Sequence, residues 1–207
     1  RGEIGRSSMA LMPAGNILPG RAARGNGSLA AGTKYPLSVP PGGGAKRNFS
    51  LRLFFHFVNH YPTRKGGCFP MKTIFSALCR ALSAGQGAVL CSVIASEGST
   101  PRGAGAKMLV TEDGAAVGTV GGGAVEYRCT ALAHQLCREK RSQLQAYRLS
   151  AGDVADIGMI CGGSVELFLQ YLDPSDNTLL PLAEQILSLL DSGREAWLIT
   201  AIDGESR

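Results

Sequence analysis

Regular patterning of hydrophobic and polar residues begins at Met71. Apolar residues recur there at intervals of three and four as far as Gly85, and glycine is a typical residue at a helix C-terminus, so the pattern predicts an amphipathic helix over residues 72–83. The apolar and β-branched run at residues 88–96 predicts a buried strand. The apolar positions of the helix are Ile74, Phe75, Leu78 and Leu82.

Strand and helix patterns intermingle along the rest of the chain. Two short apolar runs flank an Asp113-Gly114 pair, and Asp-Gly between such runs predicts a β-hairpin. Because a hairpin requires an antiparallel pair, the order of elements predicts an α/β fold with a mixed sheet and helices packed on it. The predicted strands are residues 107–111, 115–119, 143–149, 165–172 and 195–201, and the predicted helices are residues 124–138 and 179–190.

The first 70 residues differ from the rest in both pattern and charge. Residues 19–48 show neither helical nor strand periodicity over a useful length, and the first 70 residues hold ten Lys and Arg against one acid, a net charge of +9. Residues 71–207 hold eleven basic against fifteen acidic residues, a net charge of −4. We therefore expect a disordered basic N-terminal segment over residues 1–70 and a folded domain over residues 71–207.

Residues 1–70 allow three functional interpretations. A basic arm for nucleic acid or anionic lipid is disfavoured, because basic and aromatic residues are not regularly interleaved, and we expect no nucleic-acid partner. His56 and His60 stand four residues apart, a spacing that on a short helix could hold a metal, although no third ligand is near. The favoured hypothesis is untranslated upstream sequence: residues 64–67 can be encoded by a purine-rich stretch resembling a bacterial ribosome-binding site, and the protein would then begin at Met71.

Three glycine-rich segments at strand ends are the candidate binding loops. Glycine lets backbone N–H groups approach a ligand closely, and a helix that begins at a triple glycine directs its positive end toward an anion. Arg102 offers a planar fork for phosphate and Lys107 a point charge. In the alternative interpretation the glycines only form tight turns. The segments are residues 98–107, 118–123 and 160–163, and the candidate ligand-binding residues are Ser99, Thr100, Arg102, Lys107, Thr119, Gly121, Gly122, Gly123, Glu126, Cys161, Gly162 and Gly163.

Cys161, in the third of these segments, is the candidate metal ligand. Nearby N–H groups and cations would favour its thiolate, a soft anionic ligand for molybdenum, copper or zinc. The opposing interpretation is a small buried hydrophobic residue. That interpretation fits the cysteines that fall in predicted helices or strands, namely Cys79, Cys91, Cys129 and Cys137.

Several classes of function are excluded by what the sequence lacks. The sequence contains no CxxC pair, which a zinc ribbon or redox dithiol would require, and no GxxxxGK[ST] motif, which P-loop ATP hydrolysis would require. His134 is the single histidine after Met71, so a catalytic triad is not supported either. No apolar run approaches the roughly 20 residues of a membrane span, so we expect no membrane partner. The six cysteines lack a secretory context, which predicts reduced thiols and a cytoplasmic location.

Glu126 has two possible roles. It is either a general base or a partner of Arg102, or it only caps the helix dipole.

Three longer motifs follow one another in this chain. They are GSTPRGAGAKMLV at residues 98–110, DGAAVGTVGGGAVE at residues 113–126 and IGMICGGSVELFL at residues 157–169. In this order they resemble the xanthine dehydrogenase accessory factor family, XdhC/CoxI. The resemblance extends from about residue 74 to residue 201. Family members often carry a second, C-terminal Rossmann domain, which this sequence does not reach, so the chain is expected to be a short member or a fragment.

The resemblance implies an accessory chaperone and not an enzyme. Its cargo would be the molybdopterin form of molybdenum cofactor, protected while a cysteine desulfurase supplies the terminal sulfido ligand and then delivered to an apo-molybdenum hydroxylase of the xanthine dehydrogenase type. In that role we expect Cys161 near the metal and the triple glycine near the phosphate.

Two other functions stay open on the sequence. A nucleotide- or pterin-processing transferase would use the same anion-binding loops, with Asp153 and Asp156 as its obvious carboxylate pair. An interaction module would use the glycines only structurally and the leucine-rich helix at residues 179–190 as the face of a homodimer.

Overall fold

A computed structural model describes residues 4–13, 49–58, 71–148 and 163–205. Within these ranges the chain forms two β-sheets and three helices. In chain order the elements are β1 (Ile4–Pro13), β2 (Phe49–Val58), α1 (Met71–Ser83), β3 (Ala88–Glu97), β4 (Lys107–Thr111), β5 (Ala116–Gly118), α2 (Gly123–Glu139), β6 (Gln143–Arg148), β7 (Ser164–Leu172), α3 (Leu179–Asp191) and β8 (Ala196–Glu205).

Five strands form the central sheet in the order β5-β4-β3-β7-β6. The predicted α/β fold with helices packed on a sheet is confirmed, and the predicted hairpin is the pair β4 and β5. The mixed character of the sheet is corrected, because every described pair of neighbouring strands is antiparallel. Between β3, β4 and β5 the chain reverses direction without a helix, which imposes antiparallel pairing. Helix α2 then carries the chain from β5 at one edge of the sheet to β6 at the other edge, so β5 and β6 do not pair.

The two faces of this sheet are covered by different helices. Side chains alternate between faces along a strand, and Cys91 and Met108 pack with α2 residues such as Cys129 on one face. On the opposite face Leu90 and Leu109 pack in the cluster that contains the buried residues of α1 and α3. The central strands β3 and β4 therefore separate two apolar layers, which explains their almost continuous hydrophobic sequence.

A second sheet, in the order β1-β8-β2, contains two segments from the first 70 residues. The expectation that residues 1–70 form no regular structure is therefore wrong for residues 4–13 and 49–58; the other residues of that part lie outside the described ranges. In residues 49–57 apolar residues alternate with Ser50, Arg52 and His56, a pattern that predicts a strand. The short helix considered from the spacing of His56 and His60 did not take this alternation into account. Both strands pair with β8, at the far end of the sequence, so local patterning alone does not indicate them.

The leucine-rich segment predicted as a helix is α3, which packs on α1. Its buried residues Leu179, Ala183 and Ile186 belong to the cluster on the α1 side of the central sheet, so at least this face of the helix serves the core. No helix in the described part of the chain is both long enough and apolar enough to cross a bilayer.

Candidate functional site

The first and third glycine-rich segments meet at one end of the central sheet. β7 begins at Ser164, which pairs with Glu97 at the end of β3. A Cβ atom added to Gly163 would lie 2.5 Å from the carbonyl oxygen of Glu97 and 2.6 Å from that of Ser99. Contacts this short are not tolerated by a real side chain, so the close approach of the two backbones requires glycine at residue 163.

The second segment reaches the first through Gly121. A Cβ atom on Gly121 would lie 4.0 Å from the ring of Pro101, the residue before Arg102. The three consecutive glycines at the start of α2 have φ angles of 151°, 78° and 54°, values that favour glycine. The structure thus brings the triple glycine and Gly163 to opposite ends of the same short stretch, residues 99–101.

The N-terminus of α2 already holds a carboxylate of this chain. Glu126 accepts hydrogen bonds from the hydroxyl of Thr119 and from the backbone N–H of Gly122, the latter at 2.7 Å. The N–H of Gly121 lies 3.4 Å from the same Thr119 hydroxyl oxygen. This arrangement corresponds to the capping interpretation of Glu126, and an anion at the triple glycine would have to share the positive end of the helix with it.

Ser99 and Arg102 are exposed on the first segment. The guanidinium of Arg102 makes no ion pair or hydrogen bond with any residue of the described ranges. An exposed guanidinium beside closely packed glycine backbones can bind a phosphate in a bidentate manner.

Lys107 does not point toward the triple glycine. Its neighbour Met108 packs on the α2 face of the sheet, so the alternation along β4 directs Lys107 to the opposite face. Its side chain is only 9% exposed, its ammonium donates a 2.9 Å hydrogen bond to Ser92 Oγ, and burial lowers its pKa to about 8. Ser92 was not among the predicted residues, although a serine that interrupts an apolar strand was a usable signal.

The four cysteines predicted to be structural fall in helices and strands as expected. Cys91, Cys129 and Cys137 are buried between β3 and α2, and burial raises the pKa of the Cys129 and Cys137 thiols to about 11. In the described ranges no group of three or more His, Cys, Asp or Glu residues could hold a metal. The predicted site residues Cys161 and Gly162, and the carboxylate pair Asp153 and Asp156, lie outside those ranges.

Part of this chain is similar to a known protein family and to two curated proteins. Residues 81–148 match the XdhC and CoxI family, a span that contains the first two of the three motifs, and the predicted resemblance is thereby confirmed. The uncharacterized protein YqeB of Escherichia coli (strain K12) is 36% identical over 80 residues, which cover 39% of this chain and 15% of YqeB. The molybdenum cofactor insertion chaperone PaoD of the same organism is 35% identical over 101 residues, which cover 49% of this chain and 31% of PaoD.

One solved structure is also similar. A xanthine dehydrogenase from Bacillus halodurans aligns with a TM-score of 0.44 and 30% sequence identity, over 57% of this chain and 34% of that one. The chain spans less than a third of the length of either curated relative.

Proposed function

Because residues 81–148 match the XdhC and CoxI family, we propose that this chain is an accessory factor, not an enzyme, that carries molybdenum cofactor as cargo. It binds the molybdopterin form, protects it, and delivers it to an apo-molybdenum hydroxylase of the xanthine dehydrogenase type. A cysteine desulfurase is the second partner and supplies the terminal sulfido ligand of the cofactor. The protein acts in the cytoplasm. The name of PaoD, a molybdenum cofactor insertion chaperone, supports this role.

The observation that carries the proposal is the convergence of the glycine-rich segments around residues 99–101. Gly163 packs against the carbonyl oxygen of Ser99, and Gly121 lies beside Pro101. Three glycine-rich parts of the chain therefore lie next to one stretch, and molybdopterin carries a phosphate that backbone N–H groups of such segments can bind.

Arg102 is the proposed phosphate ligand, with Ser99 as a further donor and the triple glycine Gly121–Gly123 beside it, where the phosphate would compete with Glu126 for the N–H of Gly122. Its guanidinium is exposed and makes no ion pair or hydrogen bond with a described residue that a phosphate would have to displace. Thr119 and Glu126 hold the triple glycine in place through the hydrogen bonds that cap α2. We assign them a positioning role.

Cys161 is the proposed ligand of the molybdenum, assisted by Gly162 and Gly163. It precedes Gly163 by two residues, and Gly163 is fixed against the segment that carries Arg102. A thiolate next to a phosphate-binding segment suits a cargo with a phosphate at one end and a soft metal at the other. Contacts of this kind are exchangeable, which a delivery protein requires.

Cofactor retention tests the proposal. The chain would be produced in cells that make molybdenum cofactor, and the ratios of pterin and of molybdenum to purified protein would be measured. We expect Arg102→Ala to lower pterin retention by about tenfold, the effect of losing one charge-assisted contact to phosphate. The control is Arg80→Ala, which removes an exposed arginine of α1 and should leave retention unchanged.

Cys161→Ser should lower molybdenum retention more than pterin retention, with unchanged circular dichroism. Absence of pterin from the wild-type chain, or equal retention in the Arg102 and Arg80 variants, would contradict the proposal. Turnover of a nucleotide would instead favour the transferase, and a dimer without ligand would favour the interaction module.

A further inference from the structure

The central sheet and the second sheet face each other through two apolar clusters with a polar layer between them. Leu198 of β8 packs in the cluster that contains Leu90 of β3, and Ile202 of β8 packs in the cluster that contains Ile94 of β3 and Phe168 of β7. Along each strand one polar residue lies on the same face between the two apolar positions: Ser92 lies between Leu90 and Ile94 on β3, and Thr200 lies on β8 between Leu198 and Ile202. The contact between the sheets is therefore not apolar throughout.

The cation in this layer is Lys107, which pairs with Ser92 in the register of β3 and β4. Its ammonium has three N–H donors, and one of them is used by the 2.9 Å hydrogen bond to Ser92 Oγ. No carboxylate of a described residue forms an ion pair with it. A buried cation without an anionic partner is unusual in a folded protein, because burial of an unpaired charge is costly.

A second donor group lies on the same face. Gln170 of β7 pairs with Leu90 and is 3% exposed, and its amide makes no hydrogen bond with a residue of the described ranges. Every side-chain nitrogen or oxygen in those ranges that is fully sealed from solvent has a hydrogen-bond partner. Because the Gln170 amide has none, it is not fully sealed. Its N–H groups are therefore available to a ligand.

We propose that Lys107, Ser92 and Gln170 form a binding site for a small tetrahedral oxyanion between the two sheets. The ammonium supplies the charge, and the serine hydroxyl and the glutamine N–H groups supply neutral donors from β3 and β7. Thr200 lies on the strand that faces them. This site is separate from Arg102 and the triple glycine, because Lys107 occupies the face of the sheet opposite α2.

The probe is inorganic phosphate, titrated calorimetrically at pH 7 in a chloride buffer, with sulfate and acetate as comparison anions. We expect phosphate and sulfate to bind and acetate to bind more weakly, since a planar carboxylate reaches fewer donors. Lys107→Met should weaken phosphate binding by about tenfold or more, and Ser92→Ala and Gln170→Leu should weaken it severalfold. The matched control is Lys72→Met, which removes an exposed lysine, and it should bind phosphate like the wild type.

Arg102→Ala distinguishes this site from the proposed cofactor site. Phosphate binding that survives Arg102→Ala but not Lys107→Met supports the inference, whether or not the chain carries molybdenum cofactor. Binding lost in Arg102→Ala and kept in Lys107→Met would assign it to the glycine-rich segments and overturn the inference. It is equally overturned if the folded wild-type chain binds neither phosphate nor sulfate at millimolar concentration.

Discussion

The backbone of Gly163 lies directly against the carbonyl oxygen of Ser99, so closely that a Cβ atom at residue 163 would be 2.6 Å from that oxygen. The next residue begins β7, which pairs with the end of β3. The contact therefore fixes the point at which the third glycine-rich segment joins the first. The geometry of the candidate site depends on a residue that has no side chain.

Gly163→Ala should consequently destabilise the protein. The new methyl group would meet two backbone oxygens, and these cannot move aside as the end of a flexible side chain could. We expect the free energy of unfolding to fall by about 1–3 kcal/mol in a urea titration. Gly103→Ala is the control, because no atom lies within 4 Å of its added Cβ, and it should change stability by less than about 0.5 kcal/mol. Equal stability of the two variants would show that the close contact is absent.

Glu126→Ala should destabilise the start of α2. The substitution removes the acceptor for both the Thr119 hydroxyl and the N–H of Gly122, and loss of a helix-capping interaction costs about 1 kcal/mol. Glu126→Gln keeps a carbonyl acceptor and should cost less. Glu184→Ala, at an exposed position of α3, is the control for thermal unfolding. A Glu126→Ala variant as stable as that control would argue against the cap.

Elements set by local pattern were predictable from the sequence. The helix predicted at residues 72–83 is α1, and the helix predicted at residues 124–138 is α2, each to within one residue at either end. Both have an apolar face with the period of a helix and a glycine at one end. The hairpin of β4 and β5 also followed from local sequence, because Gly114 has the positive φ that its turn requires.

Features set by distant parts of the chain were not predictable in the same way. The strands β1 and β2 pair with β8 across almost the whole sequence, and no local signal names that partner. The candidate site shows the same limit. The glycines indicated close backbone contacts, but which segments touch depends on the pairing of β3 with β7. The position of Lys107 on the other face follows from the register of β4, which its sequence alone does not fix.

The buried cysteines should be unreactive in the folded protein. Burial raises the pKa of the Cys91 and Cys129 thiols, which reduces the thiolate that reacts with alkylating reagents, and it also blocks access. We expect iodoacetamide at pH 7.5, with labelled sites mapped by peptide mass spectrometry, to modify both only after denaturant is added. Cys79, on α1 and partly exposed, is the internal comparison and should react faster. Native-state labelling of Cys91 at the rate of Cys79 would contradict the described packing of β3 against α2.

Lys107→Met should stabilise the protein near neutral pH. Burial lowers the pKa of the ammonium from 10.5 to about 8, so between these values the unfolded chain binds more protons than the folded one, and the stability of the wild type rises with pH. The cost of burying the charge is therefore fully present below pH 8. Removing it should raise the free energy of unfolding at pH 7 by up to about 3 kcal/mol, and the gain should vanish near pH 10.5. Urea titrations at several pH values, without phosphate or sulfate, measure this difference.

The control for this prediction is Lys72→Met, which loses only an exposed ion pair with Asp191 and should change stability by less than about 1 kcal/mol. A gain for Lys107→Met that is the same at every pH would mean that lost charge burial is not its cause.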